Sequence, residues 1–269
     1  MALDVCVKNR DGGFVRALQP TDFLVLEDRI PQTLEFFEPD GQVPLSVVLL
    51  VDASTSMAGA KLTRAKQAAT AFLGHLGGTD LVEVMAFNQL TDRRLALSPD
   101  RAAASRAIAE LRAGGQTGLW EALIVALRDL QHAERRDAGE RRHVILVLSD
   151  GEDTSSRVVF DDALEEIRRS GALVYAISLR TNVNDRALPP STALARLAHD
   201  TGGRAVVVHD LETLAPVYEE IAVELRHLYR IGYVPRATTV NGEWRRIAIQ
   251  LTDRSLHVRT RAGYYANGR

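Results

Sequence analysis

The chain has 269 residues, of which 46% are hydrophobic and 25% charged, and its formal net charge is −2 at pH 7. That balance supports one large α/β domain, or a domain with a small annex, around a full core. The near-neutral charge offers no basic field for nucleic acid or an anionic membrane. No apolar run approaches the roughly 18 residues of a membrane span, and a single cysteine, Cys6, excludes an internal disulfide framework or a thiolate metal cluster.

Residues 1 to about 40 read as β-rich. In "ALDVCV", Leu3, Val5 and Val7 alternate to one face and leave Cys6 on the other; "NRDGG" is turn chemistry; "FLVLED" alternates again, and "QTLEFFE" follows Pro31. The opening "MALDVCVKNRDGG" has neither a basic n-region nor an apolar h-region and does not read as a signal peptide. "EPDGQVP" has the composition of a linker.

Strand and helix then alternate. "LSVVLLVD" is a continuous apolar run, the pattern of a strand covered on both faces. "AKLTRAKQAATAFLGHL" is a helix with Leu62, Ala65, Ala69, Phe72, Leu73 and Leu76 on one side. "DLVEVMAFN" is a strand with "DRRLALS" as its hairpin arm, "PDRAAASRAIAELRAG" a helix from proline to glycine, and "GLWEALIVALRDLQHA" another helix. "ERRDAGERR" reads as a solvated loop before a second fully apolar strand, "RHVILVLSD". Helix 158–170, strand "ALVYAISL", helix 191–200, strand "RAVVVHD" and helix 211–228 complete the series, with Pro216 marking a break after a first turn. Such a succession implies a doubly wound, mostly parallel sheet with right-handed crossovers.

From about residue 229 the chain returns to β: "LYRIGYVP", "WRRIAIQLTD" and "LHVRTRAGYYA". Neither terminal β segment has helices of its own, so the two are expected to pair into one small β module. The expected division is an α/β domain over 44–228 and a discontinuous accessory module of 1–43 plus 229–269.

Both of the most apolar strands end on aspartate, Asp52 and Asp150. In open α/β sheets, ligands bind at the carboxyl ends of the strands near the topological switch. The turn after Asp52 adds Ser54 and Ser56 in alternation, and "GGQTGLWEAL" brings Thr117 just ahead of a helix. Two carboxylates and three hydroxyls without His or Cys make a donor set for a hard cation, for which Mg²⁺ is suited and Mn²⁺ or Ca²⁺ are alternatives. Taken alone, "DASTS" reads equally well as a helix N-cap. The histidines are scattered with no HExxH or i, i+4 pair, so zinc is not expected.

"VVLLVDASTSM", Thr117 and "VLSDGEDT" together resemble the von Willebrand factor type A domain and its metal-ion-dependent adhesion site. The family pattern is Asp-x-Ser-x-Ser, then a distant Thr, then a distant Asp. The resemblance covers about residues 44 to 228. It implies a Rossmann-like fold in which Ser54, Ser56 and Thr117 touch the metal. Asp52 and Asp150 would hold it mostly through water, and one position stays open for a partner's Asp or Glu carboxylate. Asn88, Gln116, Trp120, Glu152 and Asp153 are the candidate partner-contact rim. For Trp120 packing, for Asn88 turn chemistry, and for Glu152 and Asp153 plain loop polarity are the competing readings. In the family, ligand binding can couple to a shift of the last helix, which here runs directly into "YRIGYVP". The flanks are similar to those of bacterial VWFA-related proteins, a resemblance that favours a secreted or periplasmic protein.

Enzymatic readings lack their parts. No G-x-S-x-G elbow is present, Ser54 stands where an aspartate-based phosphatase carries its second Asp, and no glycine-rich phosphate loop follows a predicted strand. The expectation is a non-enzymatic, metal-dependent protein-binding and adhesion module. The alternative is a scaffold whose β module makes the contacts, and a metal-dependent hydrolase ranks below both.

Overall fold

The computed structural model describes residues 1–39, 43–135, 139–180, 192–236 and 242–266. The middle of the "EPDGQVP" linker, the middle of the "ERRDAGERR" loop and the first residue of helix 191–200 lie outside them.

The N-terminal strands are β1 (Ala2–Lys8), β2 (Phe23–Glu27), β3 (Ile30–Gln32) and β4 (Leu34–Glu38). The α/β part runs β5 (Leu45–Asp52), α1 (Ala60–Leu73), β6 (Leu81–Phe87), β7 (Thr91–Ser98), α2 (Arg101–Ala109), α3 (Leu119–Glu134) and β8 (Arg142–Ser149). It continues through α4 (Phe160–Ser170), β9 (Leu173–Leu179), α5 (Thr192–Thr201), β10 (Ala205–Val208) and α6 (Leu214–Arg226). Strands β11 (Tyr229–Tyr233), β12 (Trp244–Leu251), β13 (His257–Arg259) and β14 (Gly263–Tyr265) close the chain.

The central sheet has the order β10-β9-β8-β5-β6-β7, parallel throughout except for the β6/β7 hairpin. Every residue of β5 is buried, which accounts for its unbroken apolar run. Val47, Leu49 and Val51 face a core built with α1, α2 and α6, whereas Val48 and Leu50 face one built with α3, α4 and α5. Because β5 lies between β6 and β8, the strand order turns on either side of it, and the carboxyl ends of β5 and β8 border the resulting crevice.

The terminal segments form two four-stranded sheets, β13-β1-β11-β4 and β14-β12-β2-β3, each mixing strands from both ends of the chain. Their shared core contains Leu3, Val5, Val7, Phe23, Val25, Tyr229, Ile231 and Ile249. Cys6, pointing the other way from β1, is buried in the core of the α/β part.

Element ends differ from the periodic pattern where local chemistry intervenes. Helix α1 stops at Leu73 because the N–H groups of Gly74, His75 and Leu76 turn to carbonyls three residues back, at 3.0, 3.0 and 3.3 Å. Helix α2 is capped by Asp100, whose carboxylate accepts from Ala103 N at 2.9 Å. A 3-10 turn over Leu211–Thr213 precedes α6, so Pro216 falls in the first helical turn, where its missing N–H leaves no bond broken. Among the described residues no helix is long and apolar enough to cross a membrane.

Candidate metal centre

Asp52 ends β5 fully buried, with its carboxylate divided between two anchors. Oδ1 accepts from Ser54 N at 2.8 Å, an Asx-type turn that begins the next segment, and Oδ2 accepts from Ser149 Oγ at 2.6 Å at the end of the neighbouring β8. Burial raises the pKa of this carboxyl above its ordinary range, and the hydrogen bonds from Ser149 and Ser54 only partly oppose that. A carboxylate so placed gains from a nearby cation.

The chain then makes a 3-10 turn over Thr55–Met57 that aims two hydroxyls the same way: Ser54 Oγ and Ser56 Oγ are 3.0 Å apart. Ser56 Oγ donates to Asp150 Oδ1 at 2.6 Å, joining this turn to the residue after β8. Thr117 is buried, and its Oγ1 lies 4.0 Å from the place a Cβ would take on Gly151, beside Asp150. Its backbone is held by the loop after Asp150: Thr117 O accepts from Thr154 N at 2.8 Å and Ser155 N at 3.0 Å, and Thr117 N donates to Thr154 Oγ1 at 3.1 Å. Asp52, Ser54, Ser56 and Asp150 are thus linked by hydrogen bonds and Thr117 stands next to them. Among the described residues no group of three or more His, Cys, Asp or Glu is arranged to hold a metal, so a cation here relies on hydroxyls beside its two carboxylates. Such an all-oxygen set, with hydroxyls in contact and one carboxylate fully buried, fits a hard divalent ion.

Three loops brace the centre. Gly114 N donates to Ala53 O at 2.8 Å, and Thr55 N and Oγ1 both reach Gly115 O at 3.0 Å. Gly115 has φ of +85°, a conformation that favours glycine, and a Cβ there would strike the Gln89 side chain. Asn88 donates from Nδ2 to Gly114 O at 2.8 Å and accepts from Leu90 N at 2.9 Å, so its side chain ties two loops together.

The five rim residues fall into different settings. Gln116 and Glu152 are exposed, and Asn88 is half-buried in its brace. Trp120 is only 9% exposed and packs on Phe160 at a ring separation of 5.1 Å. Asp153 turns inward and caps α3, accepting from Leu119 N at 2.7 Å. Sequence reasoning missed three contributors: Ser149, which fixes Asp52; Leu90, 71% exposed beside Asn88; and Lys61, whose ammonium pairs with Asp150 Oδ2. The signal for Lys61 was a lysine five positions after Ser56, in the first turn of α1, where a helix disfavours cations.

The family model described as von Willebrand factor type A domain matches residues 46–220. Inter-alpha-trypsin inhibitor heavy chain H4 of Sus scrofa is 26% identical over 219 residues, covering 76% of this chain and 23% of that protein. Heavy chain H6 of Homo sapiens is 27% identical over 218 residues, covering 75% of this chain and 16% of that protein. The chain therefore spans less than a quarter of these relatives' length. A von Willebrand factor type A structure from Catenulispora acidiphila superposes with a TM-score of 0.61 at 16% identity, over 98% of this chain and 63% of its own, so the shared fold extends into the flanking strands. Proximal thread matrix protein 1 from the mussel byssus, with a zinc-occupied MIDAS motif, matches at a TM-score of 0.57 and 15% identity, over 74% of this chain and 49% of its own.

Proposed function

The chain belongs to the von Willebrand factor type A family, and from that premise we propose that it is a non-enzymatic protein-binding module that works through a divalent cation held by Asp52, Ser54, Ser56, Thr117 and Asp150. The observation that carries this reading is the run of oxygens from Ser54 to Ser56 to Asp150, spaced 3.0 and 2.6 Å, beside the buried Asp52. An all-oxygen set of two carboxylates and three hydroxyls favours Mg²⁺ or Mn²⁺. The zinc of the mussel protein makes Zn²⁺ the runner-up.

A divalent ion bound by these residues would supply a Lewis-acid position for an Asp or Glu carboxylate on a partner protein. The chain's own residues do the rest. Ser149 and the Ser54 N–H orient Asp52, Ser56 orients Asp150, and the Thr154–Ser155 backbone fixes Thr117. A single metal–carboxylate contact does not discriminate between acidic partners, so selectivity falls to exposed groups around it, chiefly Leu90, Gln116 and Glu152. The working domain is the segment 44–228, with the β strands of both termini as its accessory module.

A second reading gives the contacts to the β module. A cleft of about 780 Å³, lined mostly by residues of that module, presents the exposed Arg29 and Arg246 beside Asp28, Leu26 and Ile249, a surface on which an acidic partner could sit whether or not the metal is bound.

Titration calorimetry of Mg²⁺ and Mn²⁺ into chelator-stripped protein, beside Ser54→Ala/Ser56→Ala, separates the two. Saturable one-to-one binding that the double variant loses is the expected result. Absence of binding to the wild-type chain overturns the metal reading and leaves the β module.

A further inference from the structure

Lys61 stands in an electrostatically adverse place. It is the second residue of α1, whose first turn carries no acidic residue, and the partial positive charge of a helix N-terminus repels an ammonium there. The backbone reaches this position through Gly59, at φ of +80°, directly after the Ser54–Ser56 turn. What compensates the placement is Asp150. The lysine ammonium contacts Oδ2 of a carboxylate whose side chain is 1% exposed, while Ser56 Oγ occupies Oδ1 at 2.6 Å; the lysine side chain is itself only 16% exposed.

We propose that Lys61 is a tethered cation built into the metal centre: it holds Asp150 in place when no ion is bound and sets how tightly a divalent ion can bind. This inference rests on the metal reading above. With Asp52 and Asp150 ionised, the contacting groups carry a formal charge of −2, and Lys61 reduces it to −1. The metal-free protein therefore does not confront two buried carboxylates with only hydroxyls between them. A divalent ion meets a weaker field, and it must either displace the ammonium or share Asp150 with it. In a pocket this poorly solvated, a neighbouring unit charge is screened far less than on the surface.

The test compares wild type with Lys61→Met, Lys61→Gln and Lys61→Arg by Mg²⁺ titration calorimetry and by thermal melts in EDTA and in saturating Mg²⁺. Methionine keeps the apolar stem and glutamine keeps a donor for Asp150, so the glutamine variant carries the comparison if the methionine variant does not fold. Expected are about three- to thirtyfold tighter Mg²⁺ binding in the Met and Gln variants and near-wild-type affinity in Arg. The two neutral variants should also melt below wild type in EDTA and gain more from Mg²⁺ than wild type does. Mg²⁺ affinity in both neutral variants equal to or weaker than that of wild type overturns the role of Lys61 while leaving the metal site standing. Absence of Mg²⁺ binding in wild type and variants alike overturns the metal reading, and this inference with it.

Discussion

Glu83 is a residue whose environment makes a measurable prediction. It lies on β6 at a shift in the β6/β7 register, 1% exposed, with Oε1 lacking a hydrogen-bond partner among the described residues. Beside it a cavity of about 590 Å³ is lined by Arg93, Asp129 and His132. Burial, reinforced by the hydrogen bond and charge of Asp129 and opposed by Arg93, pushes the Glu83 pKa up to about 8. The native state thus keeps this proton up to about pH 8, whereas the unfolded chain releases it near the ordinary glutamate value of 4.5. Through that window the native state binds more protons, so stability falls as pH rises. Glu83→Gln removes the titration without changing shape. Between about pH 5 and 9 the wild type should lose on the order of 2 to 4 kcal/mol relative to this variant in urea unfolding, and parallel pH profiles would refute the assignment.

At the level of elements, helix α3 owes its start to a loop far along the chain. Leu119 N and Trp120 N donate to Asp153 Oδ1 at 2.7 and 3.4 Å, and Ser156 Oγ takes Trp120 N and Glu121 N at 3.1 and 3.3 Å. Asp153→Ala should lower the urea midpoint by an amount worth about 1 to 2 kcal/mol, with the m-value unchanged. The same variant should loosen the loop whose backbone holds Thr117. The apolar runs of β5, β8 and β9 and the face of α3 were legible in the sequence, because burial on one or both faces leaves a periodic trace. So was the turn that brings Asp52, Ser54 and Ser56 together, because the three stand at alternate positions of one short stretch. The cap from Asp153 was not legible: its partner lies 34 positions away, and nothing periodic connects a capping carboxylate to a helix it does not begin. Strand β3, three residues including Pro31, is too short to show alternation. The pairing of Lys61 with Asp150 spans 89 positions and left only a lysine at an unfavourable helix end as its sign.

Across the whole molecule, the α/β part and the β strands of the termini share buried groups, and that governs how the chain unfolds. Cys6 of β1 inserts into the core beside α6 and β9. Glu224 of α6, fully buried, accepts from Tyr175 Oη of β9 at 2.7 Å and pairs with Arg259 of β13, Lys8 of β1 at 3.4 Å and Arg204 at 3.7 Å. Burial alone would raise the Glu224 pKa; Arg259 first, then Tyr175, Arg204 and Lys8, hold it below the usual glutamate value. Arg142 of β8 reaches Asp4 of β1 at 2.7 Å and the carbonyls of Leu225 and Leu228 at 3.0 and 3.3 Å. Separating the two parts would break these ion pairs and expose to water the apolar surface around Cys6 that packs them together, so neither part should persist while the other unfolds. The two tryptophans report on opposite sides of that junction, Trp120 on α3 and Trp244 on β12. In Trp120→Phe and Trp244→Phe variants, the remaining tryptophan's fluorescence and the far-UV signal should therefore give coincident urea midpoints within each protein. Glu224→Gln, which takes the buried carboxylate from Arg259 while Lys8 and Arg204 keep Glu220 at 3.3 and 3.0 Å, should lower the midpoint of both reporters together by an amount worth about 3 kcal/mol. Trp244 fluorescence changing well before Trp120 would instead mean that the β module opens while the α/β part stays folded, and that the buried ion pairs at the junction contribute little to holding them together.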